Sequence, residues 1–111
     1  MNKLNIVFTA DAWEEYLEWK KANRSMVKRI DKLISDTIRH PFSGLGKPEP
    51  LQHDLQGFWS KKINDEHRMV YAVTETAIQI IQLKYHYHKI KQKGPSVFAE
   101  AFFKIIDQLM V

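Results

Sequence analysis

The chain contains no cysteine, which excludes disulfides, thiolate zinc sites and cysteine nucleophiles together. Glycine and proline are also scarce, with 4 of each in 111 residues, and 44% of the chain is hydrophobic. That balance excludes a low-complexity or disordered polymer and leaves a globular domain with one core. No apolar run approaches the ~20 residues of a membrane-spanning helix. The start, MNKLNIVFTADAW, lacks the apolar stretch and small-residue cleavage site of a signal peptide. The expectation is a cytoplasmic protein with no membrane partner. The histidines, His40, His53, His67, His86 and His88, show no ligand spacing and no neighbouring carboxylate cluster, so neither a metal nor another cofactor is expected.

What the chain has in excess is positive charge: 17 Lys and Arg against 13 Asp and Glu, a net +4. Such a balance favours an anionic partner, nucleic acid being the commonest, although many basic domains bind none.

Periodicity organises the chain. Lys3 to Thr9 is β-branched and apolar at its centre and predicts a strand, after which Thr9 can cap a helix carrying Trp13, Tyr16 and Leu17 on one side. A second helix from about Ser25 carries Val27, Ile30, Leu33, Ile34 and Ile38 and stops at His40-Pro41. Trp13, Tyr16, Leu17, Val27, Ile30 and Leu33 are expected in the core. Residues 41–50, PFSGLGKPEP, predict a stiff loop rather than a helix or strand. Three strands follow, Phe58 to Asn64, His67 to Val73 and Ala77 to Tyr87, with connections short enough for an antiparallel meander. The expected class is α+β: an N-terminal strand, two helices packed on an antiparallel sheet with a C-terminal three-stranded meander, plus a C-terminal helix. That last helix, Ser96 to Val111, carries Phe98, Phe102, Ile105 and Leu109 on one stripe.

The runs WEEYLEWKKANR and MVKRIDKLISDTIRHPF, then GLGKPEPLQHDLQGFWSKKINDEHRMVYAVTE from Gly44 to Glu75 and KYHY from Lys84 to Tyr87, resemble the YoeB-type toxins of the RelE superfamily in order and spacing. The resemblance covers residues 1–87 and leaves 88–111 as an extension. It implies the toxin of a type II toxin-antitoxin pair, an endoribonuclease that cuts messenger RNA on the ribosome and is neutralised by a cognate antitoxin. It carries the catalytic roles onto Glu49 of the KPEP loop, Arg68 of EHR and His86 of the terminal HY pair, with Tyr87 beside it.

RNA chemistry gives those residue types a reason of its own. Metal-free cleavage needs a base for the ribose 2′-hydroxyl proton and an acid for the departing 5′-oxygen, roles suited to Glu49 and His86. A fixed guanidinium such as Arg68 stabilises the charge that builds on the phosphorus oxygens. Each has a plainer alternative: a solvated loop carboxylate, a surface ion pair, a strand-end histidine. Lys61 and Lys62 are candidate phosphate-holding cations, of which strand alternation lets only one share the face of Arg68. Trp59 is expected in the core before a stacking role. Lys20, Lys21, Arg24, Lys28, Arg29 and Lys32 make the best candidate face for ribosomal RNA, with a merely solvated face as the alternative.

Two features depart from the family pattern. Gln52 stands where the family often carries a lysine, and it can donate hydrogen bonds but not charge to a substrate phosphate. The extension beyond Tyr87 has an apolar stripe that needs a groove on the body or on a second copy of the chain, a homodimer being the expected arrangement. An extension lying over the cleft would instead leave an antitoxin-binding or co-repressor module with catalysis blocked.

Overall fold

Thr9 is the first switch point of the chain. In the computed structural model, which describes residues 3–85, strand β1 (Asn5–Phe8) runs into Thr9, whose hydroxyl accepts the Ala12 N–H at 3.0 Å and so caps helix α1 (Ala10–Ala22). Asn23 then ends one helix and starts the next. Its N–H donates to Trp19 O at 2.8 Å, and its side chain accepts the Met26 N–H at 3.3 Å at the start of α2 (Arg24–Arg39). The His40 N–H donates to Asp36 O at 2.7 Å, and Pro41 prevents another turn. The expectations for His86, Tyr87 and the 96–111 helix lie outside the described residues.

The 41–50 loop ends in a two-residue strand, β2 (Glu49–Pro50), that the proline content had argued against. Pro50 is tolerated because β2 is an edge strand. After a short turn at His53–Leu55 come β3 (Trp59–Lys62), β4 (Arg68–Val73) and β5 (Ala77–Gln82), the expected meander. The sheet order is β1-β5-β4-β3-β2, with β1 parallel to β5. The sheet is therefore mixed rather than antiparallel throughout; short connections specify the meander, whereas the pairing of β1 follows from the helical crossover and leaves no local signal.

Both helices cover one face. α2 buries Met26, Ile30, Leu33 and Thr37 against Met69, Tyr71, Ile78, Ile80 and Leu83. α1 departs from expectation, because Trp13 and Leu17 are 47% and 39% exposed and only Ala12 is fully buried. The helix faces the sheet through Ala12, Glu15 and Trp19 instead. Trp19 Nε1 donates to Leu83 O at 2.9 Å and Glu15 accepts the Leu83 N–H at 2.7 Å. Burial raises the carboxyl pKa of Glu15, an effect that the Leu83 bond and the nearby Lys84 charge only partly offset. Trp13 is left to stack on Tyr16, ring centroids 5.5 Å apart. Val27 is half-buried.

The other sheet face has its own small core of Leu51, Leu55, Phe58, Val70 and Ile81. Ile81 is an extra residue in the β4–β5 ladder, since Tyr71 pairs with Ile80 while Val70 pairs with Gln82.

Candidate functional site

Strand register assembles the site. Glu49 lies opposite Ser60, Ser60 opposite Val70, and Lys62 opposite Arg68, so these side chains share the face turned away from the helices. There Glu49 Oε1 lies 3.6 Å from Arg68 Nη1, an ion pair too long for a hydrogen bond. The Glu49 side chain is 46% exposed, and that of Arg68 is 19% exposed. Arg68 Nε and Ser60 Oγ are buried without a hydrogen-bond partner among the described residues. The site thus offers a solvent-facing carboxylate beside a guanidinium whose donors are not used up by that carboxylate.

The loop before Glu49 is fixed by close approach. Gly46 has φ +83°, and a Cβ there would lie 2.9 Å from Lys61 Cβ and 3.0 Å from Leu33 Cδ2. Its carbonyl accepts the Lys62 N–H at 2.7 Å. Asp36 Oδ2 accepts the Leu45 N–H at 2.8 Å and the Lys61 ammonium at 3.3 Å.

The two candidate lysines separate accordingly. Lys61 sits opposite Met69 on the helix side, 0% exposed, bonded to Asp36 and at 3.1 Å to His40 O. It does not face the site, and its ammonium ties β3 to the C-terminal end of α2. Burial lowers the Lys61 pKa more than Asp36 restores it. Lys62 shares the face of Arg68 and pairs with Asp65 Oδ1 at 2.7 Å. Trp59, on the helix side, is half-buried with its ring centroid 4.9 Å from Phe42. Gln52 is exposed and precedes the His53–Leu55 turn. A groove of about 550 Å³ between α2 and β3 is lined by Arg29, Lys32, Lys47 and Lys62 among others.

The YoeB-like toxin of bacterial type II toxin-antitoxin systems is the family whose model matches this chain, over residues 8–87. The chain belongs to that family. It is 48% identical to toxin YoeB of Escherichia coli (strain K12) over 84 residues, which are 76% of this chain and 100% of that protein. The YoeB dimer from Staphylococcus aureus superposes with a TM-score of 0.72 at 42% identity, covering 77% of this chain and 99% of that one. The YoeB-YefM complex from Staphylococcus aureus gives 0.70 at 43% identity, over 77% and 99%.

Two further side chains of this YoeB-like chain, which no motif marks, hold the backbone beside Arg68. His67 Nδ1 accepts the Tyr85 N–H at 2.8 Å, and its ring meets Trp19 edge-on at 4.8 Å. Gln82 donates from its side-chain amide to the carbonyls of Lys84 and Tyr85. The only sequence signal was position, His67 beside Arg68 and Gln82 at the end of the last strand.

Proposed function

We propose that this chain is a ribosome-dependent messenger-RNA endoribonuclease that needs no metal, with Glu49 as base, Arg68 as the stabiliser of phosphorane charge and His86 as acid. The observation that carries the reading is the 3.6 Å approach of the Glu49 carboxylate to the Arg68 guanidinium on the helix-free face. A carboxylate there can take the 2′-hydroxyl proton while the guanidinium meets the charge that in-line attack develops. The products are a 2′,3′-cyclic phosphate and a 5′-hydroxyl. Support for His86 comes from its neighbour: Tyr85 O accepts the Arg68 N–H at 3.1 Å, so the chain passes Arg68 one residue before His86. Tyr87 and Lys62 are the proposed substrate contacts, with Gln52 a weaker one for want of charge. The groove carrying Arg29, Lys32, Lys47 and Lys62 suits an RNA backbone.

The Staphylococcus aureus relatives form a dimer and a complex with YefM, which supports a homodimer and a cognate antitoxin as partners here. Primer extension on a translated message, with purified protein and ribosomes, tests the activity. Discrete cuts at the decoding site are expected. No cuts, from the full-length protein and from a version ending at Tyr87 alike, would leave the chain an antitoxin-binding or co-repressor module.

A further inference from the structure

Gln82 is the last residue of β5, 5% exposed, and pairs with Val70 on the face that carries Glu49 and Arg68. Its side-chain nitrogen reaches forward to two consecutive carbonyls, that of Lys84 and, at 2.9 Å, that of Tyr85. Two acceptors facing one amide fix its orientation, since the oxygen turned toward them would offer no hydrogen. The turn so held is a strained one, because Tyr85 has φ +66° without being glycine. Tyr85 is held there by its N–H, which donates to His67 Nδ1 at 2.8 Å, and by its carbonyl, which accepts from Gln82 and, at 3.1 Å, from the Arg68 N–H. The chain end of β5 is thereby tied to the residue that heads β4.

We propose that Gln82 is a positioning residue for the candidate active site, its amide clamping the Lys84–Tyr85 turn so that the Tyr85 carbonyl holds the Arg68 N–H, and with it the start of β4, in place. The assignment rests on the endoribonuclease reading above. A guanidinium that meets transition-state charge must be held close to its productive geometry, and a turn with a left-handed residue relaxes when the bonds that over-determine it are removed. The Gln82 oxygen argues that the side chain is there for its donors. Gln82 Oε1 is buried without a hydrogen-bond partner among the described residues, a cost that an apolar side chain of the same size would avoid.

The test is Gln82→Met, which keeps the length and apolar bulk but cannot donate, and Gln82→Asn, which keeps the amide one methylene short. Full-length proteins are compared by thermal unfolding, ribosome affinity, and single-turnover cleavage at saturating programmed ribosomes. Both variants are expected to fold and to bind ribosomes within about twofold of the parent, and to cleave about tenfold more slowly or worse. The loss falls on kcat and not on KM. Either folded variant cleaving at the parent rate overturns the proposal. If the parent itself makes no cuts, the endoribonuclease reading fails by itself, and amide exchange at Arg68 decides the clamp. Faster exchange of the Arg68 N–H in Gln82→Met supports it, and unchanged protection overturns it.

Discussion

Glu49 and Arg68 meet across a strand that belongs to neither of them. Glu49 is on β2 and Arg68 on β4, with β3 between, and the 3.6 Å ion pair passes over β3 between Ser60 and Lys62. Strands two places apart are separated by roughly 10 Å, so both side chains must extend toward each other. Glu49→Gln is expected to remove the base and Arg68→Ala the charge stabilisation, each slowing cleavage by ~10²-fold or more, with ribosome binding retained. His86→Ala belongs to the same series. Single-turnover rates on programmed ribosomes check all three, and a parent-like rate in any of them reassigns that residue.

Ser60 puts a small side chain on the sheet face where Glu49 and Arg68 meet. Ser60 is 0% exposed, directly opposite Glu49, and its hydroxyl has no partner among the described residues. Ser60→Val suits a strand and adds a methyl where the two long side chains converge. Its melting temperature should match or exceed the parent's, since a buried hydroxyl without a bond is removed. Cleavage should still fall, on the order of 10²-fold for a misplacement of about 1 Å. A stable Ser60→Val enzyme with full activity would show that the pair does not need a small side chain there.

Asp36 gives the fold an acid limit. Burial raises its carboxyl, but the Leu45 N–H, the Lys61 hydrogen bond and the Lys61 charge outweigh burial, and the net pKa is below the ordinary value. A carboxylate whose folded pKa is lowered contributes stability fully above its unfolded value, about 4. That contribution disappears as the pH falls through the folded value. Urea titrations between pH 2 and 7 should show this acid-side loss in the parent and a flatter curve in Asp36→Asn. Lys61→Met, which strands the Asp36 carboxylate between α2 and β3, should cost about 3 kcal/mol at neutral pH. Lys62→Ala should leave stability unchanged, because its partner Asp65 is fully in solvent.

The contrast between those lysines shows where the sequence was legible. Strand alternation alone requires Lys61 and Lys62 to point to opposite faces, but not which faces the helices, and a buried lysine is too rare to be expected without sight of Asp36. Thr9 and His40-Pro41 were readable because caps and proline act within a few residues. The expected α1 stripe is not the buried one, because Trp13, Tyr16 and Leu17 recur at helical spacing just as Ala12, Glu15 and Trp19 do. Which stripe is buried depends on the sheet, through Leu83, some 64 residues away from Trp19. Glu49 and Arg68 stood out through the family motif, whereas Ser60 matters by its small size and His67 and Gln82 by bonding backbone groups of Lys84 and Tyr85, and none of the three carries a pattern of its own.

Gly46 links loop stiffness to the site and separates placement of Glu49 from global stability. With φ +83° and a would-be Cβ at 2.9 Å from Lys61 Cβ, Gly46→Ala forces the loop away from β3. Left-handed strain of about 1–3 kcal/mol adds to the clash. The Lys62 N–H bond to Gly46 O, 2.7 Å, lies on the same contact and must lengthen, and Glu49 is three residues downstream. Gly57 supplies the control, since its φ is +100° but a Cβ there meets nothing within 4 Å. Gly57→Ala should therefore lower the melting temperature through backbone strain alone and keep cleavage near the parent rate. Gly46→Ala should lose both, with cleavage reduced at temperatures where the variant is fully folded by circular dichroism. Equal activity per folded molecule in the two variants would mean that Glu49 finds its place without the 44–48 loop, and that the ion pair with Arg68 positions it instead.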